Sequence, residues 1–455
     1  MAYTTFKVLA EKGRISLPSV MMLLICLGIT SFLLISIDTP STDTSVSNAL
    51  GNHGPLKNNA SEKAAASPRK EPAKTQTSAN TEANAEADTP FQLALPGYQY
   101  QFPADHAAHP QFKTEWWYYT GHLKTPDQKN YGYELTFFRI GQKPVSKSNA
   151  LQNTLNQIFP SQASMAWQLN AVYATHFAIS DETEKTFYYA ETLNRQGVNI
   201  AGARTSHYHV WNGLWQAELL DAKNNTMTLE AQTPDGKNRI HLLLSSEKPP
   251  VIHGKPGAGV SQKADCVGCA SHYYSLTRLN TTGTLLINNQ LSPVSGLSWM
   301  DHEFGSSQLS AKQTGWDWFS IQFNNNTELM LYLLRHADGS VDPNSSGTLV
   351  WEDGHSQHLA LDEFTVTPSG KIWTSPSSGG TYPMGWTIRV PEHDIDVSVT
   401  PSFENQELKT SGTTQVSYWE GSAAVAGKMG AKQVTGQAYV EMTGYDKQQT
   451  VKQKL

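Results

Sequence analysis

The chain is poor in cysteine, with three in 455 residues at Cys26, Cys266 and Cys269. That excludes a fold held by a disulfide framework and a zinc site built from four thiolates. Cys26 sits inside an apolar run and reads as a small apolar side chain. Cys266-Val-Gly-Cys269 reads as a local disulfide in an oxidising compartment or as two plain thiols, with a zinc site drawing on His253 or His272 as the lesser alternative. A basic footprint is also lacking. The net charge is −6 and the pI about 6.2, which argues against a nucleic-acid partner.

Charge is missing altogether from residues 15–37, a run long enough to cross a bilayer, for which roughly 20 apolar residues suffice. Lys7, Lys12 and Arg14 precede it and Asp38 follows, so the positive-inside bias places the rest of the chain outside the cytoplasm. No Ala-x-Ala cleavage site follows Ile37. Residues 1–14 are therefore expected in the cytoplasm, 15–37 as a single-pass anchor in the cell membrane, and the folded part in the periplasm or extracellular space. Cleavage as a signal peptide, giving a secreted protein, is the alternative. Aromatics are missing from residues 38–90, which hold no Phe, Tyr or Trp. Such a segment buries too little apolar surface to offset its ordering entropy, and is expected to be a disordered tether with a reach of roughly 40 Å.

All the bulk lies beyond it, with the 12 Trp between Trp116 and Trp419. Aromatic and β-branched runs at Glu115–Leu123, Tyr131–Ile140, Trp167–Ile179, Thr186–Thr192, Tyr208–Leu220, Met227–Gln232 and Ile240–Ser245 read as strands. Turn residues such as Thr125-Pro126-Asp127 and Thr233-Pro234-Asp235-Gly236 separate them. The rhythm restarts after Gly305, with a hairpin of Trp316–Phe323 and Glu328–Arg335 around Asn324-Asn325-Asn326, and continues to Gly436–Gly444. Ser148–Phe159 is the one helix candidate. This spacing predicts an all-β chain of two consecutive antiparallel barrels, 91–305 and 306–455.

Five stretches are more specific. They are Phe102–Pro110 running into Thr114-Glu115-Trp116-Trp117-Tyr118-Tyr119, then Ala270–Leu279, Gly296–Gly305, Tyr418-Trp419-Glu420-Gly421 and Gly436–Tyr445. In this order they resemble the AttH-like family that includes the carotenoid 1,2-hydratases. The resemblance spans Phe102 to Tyr445 and implies a tandem of lipocalin-like barrels. In the hydratase branch the functional residues are a His-x-aromatic pair and, 27 residues on, an aromatic-x-Asp pair. The resemblance places them at His272 with Tyr274 and at Trp299 with Asp301. The hydratases have Trp and Tyr where this chain has Tyr274 and Trp299, so the acid and the His carry over while the carotenoid does not.

Residues two apart on a strand share a face. If both pairs point inward, an apolar barrel presents one acid, one imidazole and two aromatic rings to a lipophilic ligand. That set suits hydration of an isolated double bond without any cofactor or metal. Asp301 would be the proton donor, the ring faces would stabilise a carbocation, and His272 would orient water. The alternative is a carrier that binds a lipid or isoprenoid in the same pocket without turnover. Asp105-His106-x-x-His109 with Glu115 invites a metal reading, but more simply ties the N-terminal segment across the barrel, with Arg139 and Arg278 as candidate partners. Asp301-His302-Glu303 is a weaker metal alternative, because adjacent strand residues alternate faces. Glu420 and Glu441 read as structural. Hydrolase chemistry finds no support, since Gly354-His355-Ser356-Gln357-His358 lacks the last glycine of a nucleophile elbow.

Overall fold

The computed structural model describes residues 90–143, 170–307 and 309–446. The expected anchor, the tether and the helix candidate over 148–159 lie outside the described residues. Among the described residues no helix is long and apolar enough to cross a membrane.

Thirteen antiparallel strands form the first sheet. Its path runs from Thr186–Arg195 through Ala171–Asp181, Asn130–Gly141 and Thr114–Lys124 to the long hairpin Ala270–Ile287/Gln290–Ser307. It continues through Arg239–Ser246, Thr226–Gln232, Trp215–Asp221 and His209–Asn212 to Ala201–Ala203. The two ends approach until buried Asn212 bridges them. Its amide donates to Thr175 Oγ1 at 3.0 Å and to the Tyr173 carbonyl at 3.1 Å, and its Oδ1 accepts from Asn194 at 2.7 Å. The result is a nearly closed barrel.

Ten strands form the second sheet, an open half-barrel, and the change of sheet comes between Ser307 and Gln313. It packs its own core of Phe319, Leu331, Trp386, Val397, Trp419 and Val440. The all-β expectation of two successive lipocalin-like units stands, the second being open rather than closed.

Both faces of the central strands are buried. On Thr114–Lys124, Trp117 and Tyr119 pack into the lumen with Tyr133, Phe137, Tyr173 and Leu242. The alternate residues Trp116 and Tyr118 point to a third cluster, where Tyr273 and Trp299 meet Trp318, Met330, Tyr332 and Tyr439 of the second sheet. Strands buried on both sides read as near-continuous apolar runs, and this one does.

One stretch runs against its local propensity and one strand expectation is corrected. Asn280-Thr281-Thr282-Gly283 is made of turn-forming residues yet is the middle of an 18-residue strand. Ladders on both flanks, to Arg239–Ser246 and to Gln290–Ser307, override its local turn propensity. The turn falls at Asn288 and Asn289, both at positive φ, as a two-residue hairpin loop requires. Conversely, Tyr208–Leu220 is not continuous. Gly213 at φ +65 breaks it into His209–Asn212 and Trp215–Asp221.

Candidate functional site

The long hairpin decides where the expected site residues go. Its register pairs His272 with Phe304 and Tyr274 with His302, but Tyr273 with Glu303 and Ser275 with Asp301. Directly opposed residues share a face, so even-numbered positions here face one way and odd-numbered ones the other. His272 and Tyr274 point to the lumen side, whereas Trp299 and Asp301 point to the layer between the sheets. The four residues do not converge. Each pair keeps its own face as the i, i+2 rule demands, but the register sets the two pairs back to back. Nor is the lumen an open pocket, because it is filled by its aromatic core.

The lumen-side group is a closed network. The backbone N–H of His109 donates to both Glu115 oxygens, at 2.9 and 3.0 Å. Glu115 Oε1 also lies 2.9 Å from His109 Nδ1 and 3.0 Å from His302 Nε2, and Arg139 approaches Oε2 at 3.6 Å. Burial works to raise the Glu115 pKa, but the hydrogen bonds and charges of His109 and His302 hold it down at about 2. His109 reaches back to Asp105 at 3.1 Å, and Tyr274 Oη lies 2.6 Å from His106 Nδ1 and 3.0 Å from His302 Nδ1. Burial pushes His106 down to about 4. Glu115, His109 and His302 form a donor set of the kind that holds a cation. However, the two carboxylates Asp105 and Glu115 already face His109 and Arg139, so the network is balanced in charge as it stands. It ties the N-terminal segment to the barrel. Arg278 does not join it, binding Glu328 of the second sheet at 2.5 Å instead. His272 stands at its margin, with Nδ1 2.8 Å from the Gly259 carbonyl and its ring against Tyr98.

The inter-sheet layer is built differently. Asp301 is buried; its Oδ2 accepts from Tyr273 Oη at 2.6 Å, and its Oδ1 accepts from Trp299 Nε1 at 2.6 Å and from the Ser275 hydroxyl. Burial pushes its pKa up and these three donors restrain the rise, leaving it at about 7. Ser275 Oγ lies 2.6 Å from His253 Nε2, whose Nδ1 meets Thr348 Oγ1 at 2.8 Å. The imidazole that communicates with Asp301 is therefore His253, not His272. Tyr118, paired in register with Asp301, sets its ring edge-on to Trp318 at 5.2 Å, and Trp299 does the same at 6.1 Å.

Three glutamates surround this aromatic box. Glu134 comes from the first sheet, while Glu420 and Glu441 face each other across a strand pair of the second. Glu420 Oε1 accepts from Tyr118 Oη at 2.5 Å, Glu441 Oε2 accepts from Trp316 Nε1 at 2.9 Å, and Glu134 Oε1 accepts from Thr136. The second oxygens of Glu134 and Glu420 are buried without a partner. Burial and mutual repulsion push both carboxyls well above the usual range, and half-buried Glu441 is raised to about 7. Among the described residues no Lys, Arg or His forms an ion pair with any of the three. Uncompensated carboxyls inside a protein are costly to ionise, so they hold their protons to higher pH. Reading Glu420 and Glu441 as structural misses this, because nothing local in the sequence shows three carboxyls meeting.

A cleft of about 280 Å³ opens beside this layer, lined among others by His122, Lys124, Tyr131, Glu182, Gly296 and Gln437. His122 and Gln437 also line an inner cavity of about 10 Å³ whose other walls include Thr120, Trp299, Gln322 and Tyr439. That volume is at the threshold for one water molecule. Trp299 thus stands between the inner end of the cleft and Asp301.

A family model described as AttH-like matches residues 93–445. The crystal structure of an AttH protein from Nitrosomonas europaea, 25% identical, aligns with a TM-score of 0.65 over 78% of this chain and 99% of that one. Kievitone hydratase from Nectria haematococca, 13% identical, has a TM-score of 0.56 over 78% and 98% of the two chains and shares the fold. Among curated proteins, dehydratase asqC of Emericella nidulans is 22% identical over 228 residues, 49% of this chain. The match spans only 62% of that relative's length. The motifs, the two lipocalin-like units and the extent of the family match agree: the chain belongs to the AttH-like family.

Proposed function

We propose that the protein is a hydro-lyase that adds water to, or removes it from, a lipophilic unsaturated molecule of isoprenoid or lipid type, by proton transfer alone. The observation that carries this reading is Asp301, a buried carboxyl held near pKa 7 directly behind the Trp299 that lines the inner cavity. A carboxyl poised near neutrality serves as a general acid. Protonation of an alkene carbon leaves a cation on its neighbour, which the faces of Trp299, Trp318 and Tyr118 stabilise. His272 is too poorly placed to serve as the base for Asp301, lying on the other face of the hairpin. The inner cavity is too small for a substrate and Trp299 separates it from Asp301, so binding requires the Trp299 ring to turn aside together with His122, Gln437 or Tyr439. Names of a hydratase and a dehydratase among its relatives favour this class over a carrier.

The test is incubation of the full chain with acyclic polyenes such as squalene and with unsaturated isoprenoid alcohols in ¹⁸O-labelled water. The expected result is a product heavier by one labelled water, absent with Asp301→Asn. Co-purification of a lipid with no turnover on any of these would sink the enzyme reading in favour of a carrier.

A further inference from the structure

A hydro-lyase needs a second group, one that takes the proton of the attacking water or returns it to a leaving hydroxyl. His272 does not fill this role, and the partnered oxygens of Asp301 are occupied by Tyr273, Trp299 and Ser275. Across the layer, Glu134 and Glu420 come from different sheets, and each has one oxygen anchored and one free. The anchored oxygens accept from Thr136 and Tyr118. The free ones, both on residues with no exposure at all, have no partner. Buried polar atoms are nearly always satisfied, so these two orphans from opposite sheets, together with the equally unpartnered hydroxyl of Tyr439 in the same layer, call for an occupant. That occupant must offer hydrogen-bond donors, because a carboxylate oxygen accepts and a carboxyl group accepts as well as donates. Water and a substrate hydroxyl both qualify; a carbonyl or an apolar tail does not meet a carboxylate. Tyr118 connects the pair to the acid, since it is in register with Asp301 and donates to Glu420.

We propose that Glu134 and Glu420 are the water-handling pair of the site, sharing one proton and holding the water that adds to the substrate. The proposal rests on the hydro-lyase reading of the inter-sheet layer. In hydration, Asp301 gives its proton to one alkene carbon; the π bond breaks, a C–H bond forms, and the neighbouring carbon becomes cationic. The water oxygen then forms a C–O bond to that carbon, and its O–H bond breaks as the proton passes to the carboxylate of the pair. Asp301 ends ionised and the pair doubly protonated, and one proton returning to Asp301 resets the site. Dehydration is the reverse. Two neighbouring buried carboxyls with no counter-cation keep one proton between them rather than both ionise, Glu134 adds its charge to the field on Glu420, and burial pushes both up.

The isosteric variants Glu134→Gln and Glu420→Gln test this in the full chain. With a polyene that the wild type hydrates, each variant is expected to slow water addition about 100-fold or more. Deuterium exchange from D₂O into the alkene, which reports Asp301 alone, should persist in both, whereas Asp301→Asn should lose exchange and addition together. Unchanged water addition in both glutamate variants would overturn the pair and leave the hydro-lyase reading standing. Exchange and addition that survive Asp301→Asn would overturn that reading instead. A second readout needs no substrate. The infrared C=O stretch of a buried protonated carboxyl should persist in the wild type at about pH 8 and diminish in each glutamate variant. Its absence from the wild type overturns the shared proton directly.

Discussion

Tyr118 and Glu420 join the two sheets by a hydrogen bond of 2.5 Å, with the phenol of the first sheet donating to a carboxyl oxygen of the second. Glu420 has no other hydrogen-bond donor, since its remaining oxygen is an orphan. Tyr118→Phe removes the one donor the protein gives this buried carboxyl. The expected loss in denaturant unfolding is about 1–3 kcal/mol. A loss under about 0.5 kcal/mol would place the cohesion of the sheets elsewhere, in the Arg278–Glu328–Lys248 group.

Activity should depend on pH through Asp301. Its pKa lies at about 7, above the ordinary 3.8, because burial disfavours the charged form. The proton donor is therefore present below pH 7 and absent above it. A profile of kcat/KM should fall as pH rises through about 7, tenfold per unit well beyond it. A flat profile between about pH 6 and 9 removes Asp301 as the donor.

Acid sensitivity should arise from His176. Burial pushes its pKa down to about 3 from 6.5, while its ring bridges Tyr418 Oη at 2.7 Å and Thr413 Oγ1 at 2.8 Å. The unfolded chain binds a proton below 6.5 that the folded one refuses until about 3. Stability is consequently whole above pH 6.5 and falls as pH drops through that window, by several kcal/mol. His176→Gln, which can still accept from Tyr418 and donate to Thr413, should flatten the acid limb of a stability–pH curve. An unchanged limb would assign the sensitivity to His106 or to other groups.

The lumen-side network predicts a large effect from a small change. Glu115→Gln leaves Arg139 and His109 facing a neutral amide at a site with no exposure. Breaking a buried ion pair by removing one partner costs about 3–5 kcal/mol, which thermal and urea unfolding would show together. A near-neutral result would mean that the network is dispensable to the fold.

The fold was legible because its signals are local. Alternation along Tyr131–Ile140 or Met227–Gln232, and turn residues such as Thr233-Pro234-Asp235-Gly236, each act within a few residues. The site was legible only in part. The family motif points to Asp301, which the structure shows buried with its pKa raised to about 7. That His272 and Asp301 lie on opposite faces is not legible, because spacing along one strand says nothing about register parity with the next. His253 and the glutamates carried no signal that ties them to Asp301. Glu134 and Glu420 stand 286 positions apart, and only the packing of two sheets brings them into one layer. Asn280-Thr281-Thr282-Gly283 shows the same limit in reverse, a good turn sequence held straight by ladders on both sides.

The long hairpin carries one residue set for each side, and a single register serves both. Sliding either strand by one position would turn His302 and Tyr274 toward the second sheet and Asp301 and Tyr273 into the barrel, emptying both clusters at once. The hairpin is in that sense a two-sided key. Length changes within 270–307 should be far less tolerable to the protein than substitutions there, since an insertion rewrites two sites while a substitution alters one.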